Sequence, residues 1–219
     1  MQLRAELFPP VLLWAGNGLA LCGLLWTSGR VPWRRLSQPQ LTGWLGASTL
    51  IAVLWQFAAS IKPGLSFHLL GASALTLIAG RDKALLGMAA VVLASCANGS
   101  GDWLAAGWSW LLGGVPPVLL AATLLPLSRR HLPPNYFSYF FANAFFGAAL
   151  SFCAAALSLL LFHLLSGSYT LAYLLAEALP YYLLFSWSEA FTTGMVMAVL
   201  VIYRPQWVES FDDSAYLQS

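Results

Sequence analysis

Seven apolar stretches, separated by short segments that hold most of the basic residues, constrain this chain more than any other feature. A hydrocarbon layer about 30 Å thick needs roughly 20 apolar residues to be crossed as a helix. The stretches run Pro9 to Thr27, Leu41 to Ser60, Leu65 to Gly80, Ala84 to Ala97, Trp103 to Leu127, Tyr136 to Leu165 and Leu183 to Tyr203. A shorter piece, Tyr169 to Ala178, is expected to stop at Pro180 as an interfacial or re-entrant helix. Only 8% of the 219 residues are charged, against about 25% in an ordinary soluble domain. Backbone groups in lipid must be satisfied within their own segment. The expected fold class is therefore an all-α integral membrane protein with about seven transmembrane helices. Residues 1–208 read as one polytopic domain. Residues 209–219 read as a short acidic tail, either a solvated end or a docking strip for a partner.

The basic residues orient the chain. Arg30, Arg34 and Arg35 lie between the first two stretches, Arg81 and Lys83 between the third and fourth, Arg129 and Arg130 between the fifth and sixth, and Arg204 after the last. All of these fall on one side, with Arg4 and Lys62 on the other. Cytoplasmic loops collect Lys and Arg, so the N-terminus is expected outside and the C-terminus in the cytoplasm of a multi-pass cell membrane. The first stretch lacks a basic leader region and a small-residue cleavage site, and reads as a retained span. A net charge of +2 with no dense basic run excludes a nucleic-acid partner. Cys22, Cys96 and Cys153 sit in apolar stretches without a CxxC pair, and read as small core residues. The chain has no GxxxxGK[ST] loop, HExxH or GxSxG motif. It reads as a non-enzyme, and any ATP hydrolysis belongs to a separate subunit.

Ionisable residues in spans cost on the order of 3 kcal/mol and normally face a bundle interior or a cavity. Four stand out: His68, His163, Glu177 and Glu189. The orientation puts all of them in the outer half of the membrane, with Glu189 roughly 9 Å below the start of its span at 1.5 Å per residue. His163 and Glu177, near a boundary, also fit simple snorkelling or pairing with a backbone carbonyl. Asn143 is the amide expected to be buried. The segment "GGVPP" at 113–117 must interrupt the fifth span, because two prolines remove donors and clash with the preceding turn.

Three segments carry a resemblance. "PGLSFHLLGASALTLIAG" is similar to the His-Leu-Leu-Gly span of the cobalt/nickel-type permeases of energy-coupling-factor transporters, the CbiM/NikM family. "SEAFTTGMVMAVLVIYRPQW" resembles that family's helix ending in Arg-Pro, and "AAGWSWLLGGVPP" stands where it has an asparagine-containing loop. The likeness covers about residues 40 to 208 and looks like a divergent proteobacterial branch.

The resemblance implies a membrane-embedded substrate-binding component in a bacterial inner membrane, capturing a transition-metal cation from outside. Cobalt or nickel is implied as substrate, and copper or zinc fits an imidazole as well. Its partners would be a separate ATPase and a coupling transmembrane protein. In the family the metal is held by the free N-terminus of a Met-His start and by the span histidine. The second carries over to His68, with Glu189 and His163 as further candidates and Gly71, Ser109 and Asn143 lining the cavity. The first does not, because position 2 is Gln2, and Ser109 stands near the place of the asparagine. That departure leaves open a second reading, a fold relative without transport that serves as an assembly partner of another membrane complex.

Overall fold

The computed structural model describes residues 2–211. Eight helices and a two-stranded hairpin follow one another along these residues. α1 (Pro10–Arg30) starts on Pro10, whose fixed φ suits a first turn, and ends one residue before Pro32 holds Val31 extended. α2 (Gln38–Leu54) opens on a capping box: Ser37 Oγ accepts from the Gln40 N–H and Gln40 Oε1 accepts from the Ser37 N–H. β1 (Ala59–Lys62) and β2 (Leu65–Phe67) pair antiparallel around Pro63 and Gly64. Next come α3 (Ala72–Ala79), α4 (Arg81–Ala97), α5 (Ala106–Gly113) and α6 (Val115–His131). α7 (Tyr136–Leu165) contains a π-helical segment at Phe140–Phe145, and α8 (Leu171–Tyr203) another at Leu174–Ala178.

Among the described residues four stretches are long and apolar enough to cross a membrane: α1, α5 with α6 (Ala106–His131), α7 and α8. Large apolar side chains such as Val11, Trp14, Leu184 and Ile202 point outward on these helices. Such a surface is tolerable only in lipid. The core is equally apolar, with Trp55, Phe152, Tyr182, Leu75 and Met88 fully enclosed.

The helical reading holds, but three expected boundaries move. The second stretch ends at Leu54 rather than Ser60, because residues 59–62 leave the helix to pair with residues 65–67. The third is not one span: Leu65 to Gly80 divides into a strand, a loop and a helix of only eight residues. The last does not wait for Leu183. Its helix begins at Leu171 and runs through Pro180, because the proline sits in the first turn after the π segment, where the wider backbone spacing absorbs the missing donor. The break at "GGVPP" is present, between α5 and α6 at Gly114.

α3 is the centre of the molecule. All eight of its residues are buried, and it packs against α2, α4, α6, α7 and α8. Gly80, with φ +77°, turns the chain directly from α3 into α4, so Arg81, Asp82 and Lys83 form a helical first turn rather than a loop. The C-terminal residues then close that end. The Glu209 N–H donates to Ile78 O (2.9 Å) and the Ser210 N–H to Leu77 O (3.1 Å), satisfying carbonyls that the short helix leaves unpaired. Lys83 Nζ meets Glu209 Oε1 at 2.6 Å, and the Tyr139 hydroxyl shares a hydrogen bond with Ser210 Oγ at 2.6 Å. Glu209, Ser210 and Phe211 are thus packed rather than part of a solvated tail; the rest of the expected tail, residues 212–219, lies outside the described residues.

Candidate functional site

Residues 68–71 carry the chain from β2 into α3. The Leu70 and Gly71 N–H groups lie outside any helix or strand and need partners from elsewhere in the fold. Glu189, on α8, supplies them: Oε2 accepts from the Leu70 N–H and Oε1 from the Gly71 N–H, both at 2.7 Å. The carboxylate is only 2% exposed, and it acts here as a clamp on the loop. Trp55, at the end of α2, donates its indole N–H to Leu70 O (3.2 Å). Gly71 is forced by the geometry: its φ is +70°, and a Cβ there would lie 2.6 Å from Ile51 Cγ1.

The loop fixes His68. Its ring is 1% exposed, packs 4.2 Å from the Trp55 ring between centroids, and has Nδ1 3.2 Å from Leu69 O. The residues that follow the start of the chain come to the same region. The Gln2 N–H donates to Ser66 Oγ (3.1 Å), the Leu3 N–H to Ser109 Oγ (3.1 Å), and the Ala5 N–H to Asp102 Oδ2 (3.0 Å). Leu3 is completely buried. The side-chain nitrogen of Gln2 is buried with no hydrogen-bonding partner among the described residues. A cavity of about 530 Å³ opens at this end, lined by Gln2, Arg4, Gln56, Ser60, Lys62 and Ser66 among others.

The other expected site residues separate. Ser109 faces the N-terminal segment, as just described. His163 is buried at the hairpin turn, with Nε2 3.2 Å from Gly64 O and its ring between Phe8 and Tyr169. Glu177 is exposed in the π segment of α8. Asn143 lies in the π segment of α7, donating to Tyr139 O (3.3 Å) and accepting from Ser128 Oγ (3.0 Å), so its amide serves contacts within α6 and α7. Among the described residues no three His, Cys, Asp or Glu side chains gather closely enough to share an ion. The structure joins His68 to Glu189 through the loop backbone, and joins Gln2 to Ser66 and Leu3 to Ser109.

Trp55, Ser66 and Asp102 were not singled out from the sequence. Ser66 had a usable signal, since "KPGL" between two short alternating segments is a hairpin turn. Trp55 had none, because its indole is one of many at stretch ends.

The profile of a family described as the cobalt uptake substrate-specific transmembrane region, CbiM, matches residues 3–207. Two solved structures share the fold. One, described as the crystal structure of a transition metal transporter, superposes with a TM-score of 0.74 at 18% identity, covering 91% of this chain and 92% of its own. The other, a truncated transition metal transporter, gives 0.71 at 18% identity, covering 93% and 99%. No curated protein matches at a significant level. With a profile match spanning nearly all of the described residues, the chain belongs to the CbiM family of cobalt uptake transmembrane regions.

Proposed function

We propose that this protein is the membrane-embedded substrate-binding component of an energy-coupling-factor importer, and that it captures a transition-metal cation of the Co or Ni type from the outer side of a bacterial inner membrane. One observation carries the reading: the backbone of Gln2 and Leu3 is hydrogen-bonded to Ser66 and Ser109, in the same buried region as the loop that holds His68. An imidazole offers a nitrogen donor, which suits Co, Ni, Cu and Zn rather than Ca or Mg. His68 is the leading ligand. Glu189 contributes by clamping the ligand's loop and by its charge, and His163 by its position beside the outer hairpin. Basic residues at the opposite end face the cytoplasm, where a coupling membrane protein and a separate ATPase would engage.

The test is metal binding and uptake. Calorimetry with Co²⁺ and Ni²⁺ on the purified protein, alongside uptake in cells, is expected to show saturable binding that His68→Ala abolishes. Equal binding by the wild type and the variant removes His68 from the site.

A second reading is favoured by Gln2 itself. A carboxamide replaces the imidazole that the family resemblance implies, and no group of three acidic, His or Cys side chains is present among the described residues. On this reading the fold is retained as an assembly partner of another membrane complex. Mild purification separates the two: co-purification with an ATPase supports transport, and co-purification with a different membrane complex supports assembly.

A further inference from the structure

At the basic end a second cavity, of about 490 Å³, opens between the end of α1, the start of α2, the first turn of α4 and the middle of α6. Its walls carry four cations, Arg30, Arg35, Arg81 and Lys83, and two anions, Asp82 and Glu209. Both anions are committed: Asp82 to Arg81 at 2.8 Å and Glu209 to Lys83 at 2.6 Å. Among the described residues Arg30 and Arg35 have no acidic partner. The Arg30 guanidinium lies 4.3 Å from the centroid of the Trp26 ring.

Apart from Gln40 and Thr123, the remaining side chains of the wall are apolar. Leu119 and Ala122 on α6 contribute to it, and Leu119 is 42% exposed on a helix that is apolar enough to span a membrane. The cavity therefore borders the apolar outer surface on one side and carries two guanidinium groups without an acidic partner among the described residues on the other. A soluble anion satisfies only the charged half, whereas a ligand with a phosphate at one end and hydrocarbon at the other satisfies both. Guanidinium groups match phosphate oxygens through paired N–H donors, and basic pockets between membrane helices suit anionic lipid headgroups.

We propose that this cavity is a binding site for an anionic phospholipid, its phosphate held by Arg30 and Arg35 and an acyl chain lying along Leu119 and Ala122. Two positive charges in excess suit a headgroup with two phosphates, as in cardiolipin. The site does not depend on which substrate the outer end takes.

Full-length protein in neutral detergent, titrated with cardiolipin, phosphatidylcholine or inorganic phosphate, tests this by thermal unfolding and native mass spectrometry. Cardiolipin is expected to raise Tm and remain bound, while phosphatidylcholine and phosphate do neither. Arg30→Ala combined with Arg35→Ala should weaken cardiolipin retention about thirtyfold, and Arg130→Ala, outside the cavity, should leave it unchanged. Undiminished retention in the double variant, or equal stabilisation by phosphatidylcholine, overturns the site. Equal stabilisation by inorganic phosphate overturns the lipid in favour of a soluble anion. If the double variant does not fold, the wild type decides alone: anionic lipid enriched among co-purified lipids relative to the source membrane supports the proposal, and no enrichment overturns it.

Discussion

Glu189 and Gly71 show how much one residue can hold in a membrane fold. Two backbone donors converge on the carboxylate of Glu189, a residue only 2% exposed. Glu189→Gln keeps one acceptor oxygen but turns an NH2 group toward the second N–H. The expected cost is about 1–3 kcal/mol, the penalty of an orphaned buried donor, read as a fall in Tm. If Glu189 also acts as a metal ligand, its substitution will lower Co²⁺ or Ni²⁺ affinity further than the Tm change accounts for. Gly71→Ala meets two obstacles, a left-handed backbone and Ile51. The backbone term alone is about 1–2 kcal/mol. Adding Ile51→Ala should relieve the steric part only, so the double variant stays less stable than Ile51→Ala by about that amount. Gln2→His is a residue-scale test of the metal reading. It replaces a carboxamide by an imidazole at the chain start, and calorimetry is expected to show tighter Ni²⁺ binding than in the wild type.

At the scale of elements, what could be read from the sequence followed from the chemistry of each segment. Tyr136–Leu165 was legible to the residue because "PPN" fixes its start, and an unbroken apolar run carries it to a polar turn. "GGVPP" was legible because paired prolines leave few alternatives. "LSFHLL" was legible only in part: "KPGL" marks a turn, but a strand of three residues, all buried, is too short to stand out from the apolar run that continues into α3. Nor was the course of the helix through Pro180 legible, since a π segment has no compositional mark. The backbone contacts of Gln2 and Leu3 were not legible, because hydropathy says nothing about a backbone N–H seeking a distant serine. The lock between α4 and the C-terminal residues was equally hidden, because Lys83 and Glu209 are 126 positions apart. Lys83 is nearly buried and Glu209 about one-third exposed, which places the pair between surface and buried ion pairs. Lys83→Ala should therefore cost about 1–2 kcal/mol, and a double-mutant cycle with Glu209→Ala should recover most of it as coupling.

For the whole molecule, the division of polar groups between two ends predicts how it sits in the bilayer. α1 alone carries the chain about 31 Å, at 1.5 Å per residue over its 21 residues. Arg4 and Lys62 line the cavity at one end, and Arg30, Arg35 and Arg81 the cavity at the other. With the positive-inside bias, a cysteine placed at Ser100 should react with an impermeant maleimide in intact cells, while one at Arg34 should react only after permeabilisation. The reverse pattern would invert the orientation. α3 gives these two ends a mechanical relation. It is about 12 Å long at 1.5 Å per residue, enclosed on every side, tied through Gly71 to Glu189 at its head, and tied through Leu77 and Ile78 to Ser210 and Glu209 at its foot. A close-packed rod cannot be displaced at the head and stay still at the foot. If a metal binds at His68 as proposed, a shift of the loop at Gly71 would be carried along α3 to its foot, and amide exchange at Glu209 and Ser210 is expected to change on addition of Co²⁺ or Ni²⁺.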